Sequence, residues 1–141
     1  MRPREIVWVI SDEYYSLPNN ITGLTTNKTT LTKQGILALT TGVVDPNYSG
    51  PLSTALINFS GTNVPIKIGM PFFRTKFFMH NETNEKAVSF SYEEYLDDVI
   101  AKSQNFSDTF LTMDSLSQEI QSKIFGMPRL ALFATFIAIT I

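Results

Sequence analysis

The nine residues GVVDPNYSG, at positions 42–50, say more about the fold of this chain than any other stretch of its sequence. Gly42 and Gly50 bracket a short excursion in which backbone can approach a ligand closely, because glycine carries no side chain. The proline fixes the turn, and Asp45 and Tyr48 place a carboxylate near a flat ring. Such a pair can orient a water molecule and cover a sugar or a base. The same residues also suit an ordinary β-turn, with Asp45 bonded to local amides.

Short segments rich in β-branched and aromatic residues surround this stretch, with turn residues between them. We predict strands at residues 5–10, 36–41, 52–59, 65–68 and 72–78. In the last of these, positions 73, 75 and 77 alternate with the cationic Arg74 and Lys76, which is the period of a strand with one wet face. Strands at this spacing indicate a mainly β domain of the barrel or sandwich type.

The pattern becomes helical after Asn84. We predict a helix over 91–104, with Ser91 as its N-cap and Glu94 completing a capping box. A second helix is expected over 107–125, and its apolar stripe suits either packing on the β domain or a coiled-coil seam between copies of the chain. The predicted division is a β domain at 1–84, a helical extension at 85–126 that could form a trimeric stalk, and an apolar tail at 127–141.

The tail is uncharged throughout residues 130–141. As a helix this stretch would reach about 18 Å, which is short of the ~30 Å hydrocarbon core of a bilayer. It therefore predicts either the start of a transmembrane segment, with Arg129 at the interface, or a buried terminal element. No secretory signal is recognised, so we expect a cytoplasmic protein, with a C-terminal membrane anchor as the variant.

Composition excludes several classes of function. The 141 residues carry a formal charge of −2, so no basic surface is expected for DNA or RNA. The chain has no cysteine and a single histidine, His80. A thiol nucleophile, a thiolate zinc site and a multi-histidine metal site are therefore excluded, and we expect no metal site built from the chain's own side chains.

The glycine-bounded motif and its neighbours resemble the dUTPase/dCTP deaminase superfamily. The pattern of that superfamily is glycine, two aliphatics, aspartate, two residues, an aromatic, one residue and glycine, followed by a strand that ends in asparagine, here Asn58, and by a further glycine, here Gly69. Upstream, KTTLTKQG at 28–35 resembles the family's arginine-serine-serine-leucine-alanine-arginine segment before a glycine. The resemblance covers about residues 3–79 and implies a dUTPase-like barrel of the β-clip type.

The resemblance also implies a ligand and a set of site residues. In the dUTPase branch, the aspartate that matches Asp45 orients the attacking water, and the aromatic residue that matches Tyr48 lies against the deoxyribose. The implied ligand is a pyrimidine deoxynucleotide, bound between the subunits of a homotrimer, with Mg²⁺ arriving on the substrate phosphates. The implied substrate-binding residues beside Tyr48 are Lys28, Thr29, Thr30, Lys33 and Arg74.

Several positions depart from the superfamily pattern. Lys28 keeps the charge of the family's arginine but loses its bidentate fork. The glutamate that shuttles the proton in deaminases falls at Ala55, which cannot move a proton. We recognise no counterpart of the metal-side aspartate or of the C-terminal glycine-rich arm. We therefore expect nucleotide binding with weak or no catalysis, and dUTP diphosphatase-type hydrolysis rather than dCTP deamination if the protein is active. The alternative is a non-catalytic trimeric head, structural and membrane-anchored.

Overall fold

The structure is a computed structural model that describes residues 1–84, 86–110, 116–118, 120–121 and 123. The chain divides into two compact units, Met1–Phe110 and Leu111–Ile141, and the described residues of the second unit are helical. Within the described residues, no helix has the length and apolar character needed to cross a membrane. The apolar tail at 130–141, on which the anchor prediction depends, lies outside the described residues.

The first unit is mainly antiparallel β structure, as predicted. Its described elements are β1 (Ile6–Ile10), β2 (Tyr15–Ser16), β3 (Ile21–Asn27), α1 (Thr29–Lys33), β4 (Ile36–Ala38), β5 (Val43–Val44), β6 (Ser49–Gly50), β7 (Ser53–Asn58), β8 (Phe73–Met79) and α2 (Tyr92–Ser103). The strands form three small sheets with the orders β1-β7-β4, β2-β6 and β5-β3-β8. The second and third sheets carry the two sides of the glycine-bounded motif, since β5 precedes its turn and β6 follows it.

The hydrophobic core lies beside β7, whose residues are buried from its second position to its end. A strand with β1 on one side and β4 on the other, covered on both faces, is expected to be apolar without alternation. Leu31, Ile36, Leu56 and Val64 form the buried cluster. Burying side chains of this kind contributes about 1.5–3 kcal/mol each, so this cluster fixes the position of the strands around it.

Asn58, which ends β7 and belongs to the family-like pattern, ties three chain segments together. It is fully buried. Its side-chain amide donates hydrogen bonds to the carbonyl oxygens of Met1, Arg2 and Thr62 at 2.9–3.2 Å. The side-chain oxygen of Asn58, Oδ1, accepts from the Ser60 backbone N–H at 2.9 Å and from the Ser60 hydroxyl at 2.7 Å. Every bonding group of this side chain is used within the fold, so Asn58 acts as a structural residue.

Two predicted strands are corrected. The segment at 65–68 is not a strand, because Pro65 has no N–H to give to a ladder and the chain turns at once, with the Met70 N–H donating to the Lys67 carbonyl at 3.1 Å. The strand predicted at 36–41 ends at residue 38. The Thr40 N–H donates to the Thr54 hydroxyl at 3.0 Å, so its acceptor is a side-chain oxygen and not a backbone carbonyl of β7.

The sequence analysis does not predict β3, although it is one of the two longest strands. Its residues, ITGLTTN, mix threonine with a glycine and show no clear apolar alternation. Hydrogen bonding to β8 on one side and to β5 on the other holds this segment as a strand, although its own sequence shows no strand pattern. A Cβ at Gly23 would lie 3.0 Å from the Cβ of Val44, so the close approach of β3 and β5 depends on the missing side chain.

The helix predicted over 91–104 is confirmed as α2, with Ser91 at its N-cap and a complete capping box with Glu94. Two hydrogen bonds form the box. The Glu94 N–H donates to the Ser91 hydroxyl at 3.2 Å, and the Ser91 N–H donates to the Glu94 carboxylate at 2.9 Å. The local sequence was sufficient for this element because the box lies within four residues.

The second predicted helix, over 107–125, is wrong at its start. Its first four residues are not helical. They run beside β1, where the Ile6 N–H donates to the Asp108 carbonyl at 2.8 Å. The Phe110 ring packs on Phe59 with 4.8 Å between ring centroids. Pairing with a distant strand and the contact between the Phe110 and Phe59 rings therefore outweigh the helical pattern here.

Candidate functional site

The turn of the glycine-bounded motif is held by its own hydrogen bonds and by a neighbouring segment. The Tyr48 N–H donates to the Asp45 carbonyl at 3.2 Å, and Asn47 has a positive φ of 63°. The Leu17 N–H donates to the Tyr48 carbonyl at 2.9 Å, and the Asn47 N–H donates to the Pro18 carbonyl at 3.3 Å. Asparagine tolerates the left-handed conformation better than most residues, so the sequence suits this turn.

The start of the motif is clamped by a buried threonine on β3. The Thr25 hydroxyl donates to the Gly42 carbonyl at 3.0 Å and accepts from the Gly42 N–H at 2.9 Å. The Thr25 N–H donates to the same carbonyl at 2.8 Å. Three bonds to one peptide segment fix where the loop leaves the sheet, and so where Asp45 lies.

Tyr48 folds back over the end of the motif. Its hydroxyl donates to the Pro51 carbonyl, and a Cβ at Gly50 would lie 2.8 Å from that hydroxyl and 3.2 Å from the ring. Gly50 has a φ of 156°, which also disfavours a side chain there. Burial raises the pKa of Tyr48 above its usual value, with smaller contributions from Tyr95 and Tyr14. Tyr48 therefore stays protonated and offers its ring, rather than its hydroxyl, to the surroundings.

A cavity of about 240 Å³ joins the two predicted residues Asp45 and Tyr48. Asp45 is exposed and Tyr48 is half-buried. The other lining residues come from β3, the loop after β4, β5, the region around the start of β7, β8 and α2: Thr25, Thr40, Gly42, Val43, Val44, Leu52, Ser53, Phe73 and Tyr95. Pockets that enclose a whole small ligand usually measure about 300–1,000 Å³. This cavity suits one part of a nucleotide, a ring or a sugar.

Tyr95 and Phe73 line the cavity but were not predicted as site residues. The Tyr95 hydroxyl lies 3.0 Å from the Ser53 hydroxyl, and its ring meets Phe90 edge-to-face at 5.5 Å between centroids. In the sequence, Tyr95 appears only as part of the apolar face of α2, which indicates packing on the β domain. The pattern shows that the residue faces inward and leaves open which part of the β domain it meets.

The predicted phosphate-facing residues do not line this cavity. Thr29, Thr30 and Lys33 are exposed on α1, and Arg74 is exposed on β8. Lys28 precedes α1, and its N–H donates to the Phe72 carbonyl at 3.0 Å.

The α1 residues nevertheless begin close to the cavity wall. Asn27, the last residue of β3, is the register partner of Phe73, and Phe73 lines the cavity. Lys28 follows Asn27 directly. One chain therefore carries the two predicted halves of the site on neighbouring elements without joining them in one pocket.

The described residues contain no cluster of metal-ligating side chains, and the position matched to the deaminase glutamate lies away from the cavity. No group of three or more His, Cys, Asp or Glu residues in the described part of the chain could hold a metal ion. Ala55 is fully buried in β7, opposite Trp8 of β1, and is not among the residues that line the cavity. The arrangement offers the exposed carboxylate of Asp45, which can accept hydrogen bonds from water. Beside it lies the ring of Tyr48, whose hydroxyl stays protonated.

No protein-family model matches the chain. Among curated proteins, it is similar to dCTP deaminases of Pyrobaculum islandicum and Pyrobaculum calidifontis, each 31% identical, and of Pyrobaculum neutrophilum, 30% identical. Each match runs over 70 residues, which is 50% of this chain and 39% of the relative. Among solved structures, the native EIAV dUTPase matches with a TM-score of 0.40 and 18% identity, over 63% of this chain and 80% of that one.

Proposed function

We propose that this chain binds a pyrimidine deoxynucleoside triphosphate and turns it over weakly or not at all, since half of its sequence is similar to dCTP deaminases. The observation that carries the proposal is the cavity in which Asp45 and Tyr48 meet. These are the two residues that the resemblance assigns to the attacking water and to the sugar.

In this proposal the cavity takes one ring of the nucleotide, either the base or the sugar. The hydroxyl of Tyr48 is already bonded to Pro51, so the aromatic face is what remains to cover a sugar or ring. Phe73 and Val43 add apolar surface, and the hydroxyls of Ser53 and Tyr95 add hydrogen-bonding groups. A mixed lining of this kind suits a flat heterocycle with polar edges.

The triphosphate would meet the cations on and beside α1, contributed by a second copy of the chain. Lys28 and Lys33 supply charge, Thr29 and Thr30 supply hydroxyl groups, and Arg74 of β8 supplies a guanidinium. None of them lines the cavity of its own chain. A composite site between subunits, as in a homotrimer, unites the two halves without any change of fold.

The chemistry expected at this site is limited. Deamination requires a group that moves a proton to and from the ring, and Ala55 offers none. Hydrolysis could use Asp45 to orient water. It also needs charge neutralisation as water adds to the α-phosphorus and the bond to the leaving pyrophosphate breaks, and the described residues provide no metal cluster for this. Mg²⁺ would come with the triphosphate.

Calorimetric titration of the full chain with dUTP, dCTP and their non-hydrolysable analogues tests the proposal, each run with and without Mg²⁺. We expect saturable binding of at least one pyrimidine triphosphate with a micromolar Kd, which corresponds to a binding free energy of about −8 kcal/mol. The Lys28→Ala, Lys33→Ala double variant should bind at least about tenfold more weakly, because the cations are lost. The absence of binding for every pyrimidine triphosphate would contradict the proposal.

A pyrophosphate-release assay with dUTP and Mg²⁺ tests the chemistry. We expect at most slow release, abolished in Asp45→Asn, and no formation of dUTP from dCTP. General-base assistance is typically worth about 10²- to 10⁴-fold, which sets the scale of the loss. Efficient turnover would show that the site is more complete than we propose. Turnover that survives Asp45→Asn would show that the reaction takes place elsewhere on the molecule.

A further inference from the structure

We propose that a second cavity, of about 670 Å³, binds a small cationic ligand, an amine on an aromatic body. The cavity is lined by the end of β1 and the residues after it, and by the irregular segment at 66–73. Of its described lining residues, only Phe73 also lines the Asp45 cavity. The volume falls in the range of about 300–1,000 Å³ that usually encloses a whole small ligand. The inference concerns another cavity and another class of ligand, so it does not depend on the proposed function.

The first support is the apolar part of the lining, which belongs to the hydrophobic core. Leu31 and Leu56 line the cavity, and each is only 1% exposed. Ile66, Met70 and Phe72 also line it and pack against the same buried cluster. A ligand in contact with these side chains gains about 25 cal/mol for each Å² of apolar surface that it removes from water. This part of the cavity therefore suits a hydrocarbon or aromatic body.

The second support is the charge of the lining. Asp12 and Glu13 are exposed carboxylates, and they outnumber Lys67, the cation among the described lining residues. Tyr15 and Tyr92 add aromatic rings, whose faces attract cations. A triphosphate would meet two like charges here, whereas an ammonium group meets two opposite charges. The charged part of the cavity therefore favours an amine over an anion.

The third support is that the backbone carrying the two carboxylates is fixed. Ser11, which precedes them, is buried. Its N–H donates to the Leu52 carbonyl at 2.7 Å, and its hydroxyl accepts from the Leu52 N–H at 2.9 Å. The same hydroxyl donates to the Glu13 carbonyl at 2.7 Å. These bonds hold residues 11–13 in place, so a ligand does not have to order them.

The segment at 66–73 is also held by backbone hydrogen bonds. The Met70 N–H donates to the Lys67 carbonyl at 3.1 Å, and Gly69 within this turn has a φ of 77°, which glycine adopts without strain. The Lys28 N–H donates to the Phe72 carbonyl at 3.0 Å. Both segments that bound the cavity are therefore formed without a ligand, as is usual for small-molecule sites.

Three indole compounds that differ in charge test the inference: tryptamine, which is cationic, tryptophol, which is neutral, and indolepropionate, which is anionic. Each is titrated into the full chain at low ionic strength and followed by NMR. We expect tryptamine to bind about three- to tenfold tighter than tryptophol, because the two exposed carboxylates attract its ammonium group. Indolepropionate should bind most weakly of the three.

Substitutions of exposed residues separate the effect of charge from that of the fold. The Asp12→Asn, Glu13→Gln double variant should lose the preference for tryptamine over tryptophol. Glu82→Gln is the matched control and should keep it, because this exposed carboxylate is not among the residues that line either cavity. Lys67→Gln should increase the preference, since it removes a cation that repels the amine. Circular dichroism checks the fold of each variant.

The methyl signal of Met70 in isotope-labelled protein, assigned from its loss in Met70→Leu, reports where the indole ring binds. It should shift as tryptamine is added, while the signal of the exposed Met79 on β8 should not. Three results would each overturn the inference: no binding of tryptamine at millimolar concentration, a preference for it that survives in the double variant, or binding that leaves the Met70 signal unchanged. Since no probe contains a phosphate, failure of nucleotide binding would leave these results unaffected.

Discussion

Tyr48 lies where it does because residue 50 has no side chain. The tyrosine ring folds over Gly50 to reach the Pro51 carbonyl, and a methyl group at position 50 would meet its hydroxyl at 2.8 Å. The glycine that closes the family-like pattern therefore has a packing reason in this molecule. It leaves room for a tyrosine that returns toward its own chain, and the ring then forms part of the cavity.

Gly50→Ala should lower the free energy of unfolding by about 1–3 kcal/mol, because the new methyl group displaces the Tyr48 ring and the backbone is strained. Chemical denaturation monitored by tyrosine fluorescence measures this. Gly42→Ala is the matched control at the other end of the motif, where a Cβ meets nothing within 4 Å. Equal effects of the two substitutions would contradict the packing explanation.

Thr25→Val should also destabilise the protein, by about 1–2 kcal/mol, since both hydrogen bonds between its hydroxyl and Gly42 are lost while the side-chain volume is kept. The effect should be larger than that of Thr26→Val on the same strand, where the exposed hydroxyl makes a 3.2 Å bond to the Arg74 carbonyl. Chemical denaturation of the two variants measures the free energy of unfolding that each one loses. A greater loss for Thr26→Val would show that the clamp at Gly42 contributes little.

At the scale of elements, α2 and the segment after it show when local signals prevail. The capping box of α2 satisfies orphan backbone groups within the first turn of the helix, without a partner from elsewhere in the fold. The residues at 107–110 also have a helical pattern, but pairing beside β1 and the contact between Phe110 and Phe59 stabilise them more than a helical turn would. The two segments differ in whether a strand edge was available nearby.

The capping box also predicts a pH dependence for α2. The backbone hydrogen bond from Ser91, and then its side-chain bond, lower the pKa of Glu94 below the ordinary value of 4.5. Its stabilisation of the helix is therefore present above pH 4.5 and is lost as the pH falls through the lowered pKa. Amide hydrogen exchange across α2 at a series of acidic pH values measures the loss.

Matched variants identify the carboxylate responsible for that dependence. Ser91→Ala should weaken α2 by about 1 kcal/mol at neutral pH and reduce the acid dependence only in part, because the residue 91 N–H still donates to the Glu94 carboxylate. Glu94→Gln removes the titrating carboxylate and should abolish the acid dependence. Glu93→Gln changes a neighbouring carboxylate that is outside the box and should keep the dependence. An unchanged acid profile in Glu94→Gln would show that other groups control this helix.

At the scale of the whole molecule, the two predicted halves of the site face different surroundings. Asp45 and Tyr48 share a cavity, while the cations on and beside α1 and Arg74 do not line it. Within one chain, the cavity and this group of cations are therefore separate. The homotrimer stays a prediction, and in it a neighbouring copy would bring the cations to the cavity.

Sedimentation equilibrium at micromolar concentration should give about three times the 15.8 kDa of the chain, because a closed threefold ring supplies each cavity with one neighbouring α1. Addition of dUTP should strengthen the association if the ligand lies at the seam. A monomer mass with and without dUTP would contradict the shared site.

Complementation gives the sharper form of this prediction. Asp45→Arg and the Lys28→Ala, Lys33→Ala double variant should each lose dUTP binding when expressed alone. Co-expressed in equal amounts, they should regain about a quarter of the sites, because a neighbouring pair then combines two intact halves. Two copies of either variant mixed under the same conditions serve as controls. No recovery in the mixed protein would mean that one chain carries the complete site.

The sequence by itself determined the mainly β character, the glycine-bounded turn with Asp45 and Tyr48 in one place, and the N-terminus of α2. Each of these depends on hydrogen bonds or periodicity within a few residues. Residues this close along the chain meet in almost any compact fold, so their pattern can be interpreted without knowing the rest.

Only the tertiary structure decided the strand β3, the irregular course at 65–68 and the non-helical course of residues 107–110. It also brought Tyr95 to Ser53, which lies 42 positions earlier in the chain. Contacts of this separation depend on which surfaces are buried together and on the entropy of closing long loops. Those terms belong to the complete arrangement of sheets, and for this reason the wall of the cavity could not be predicted from its own helix.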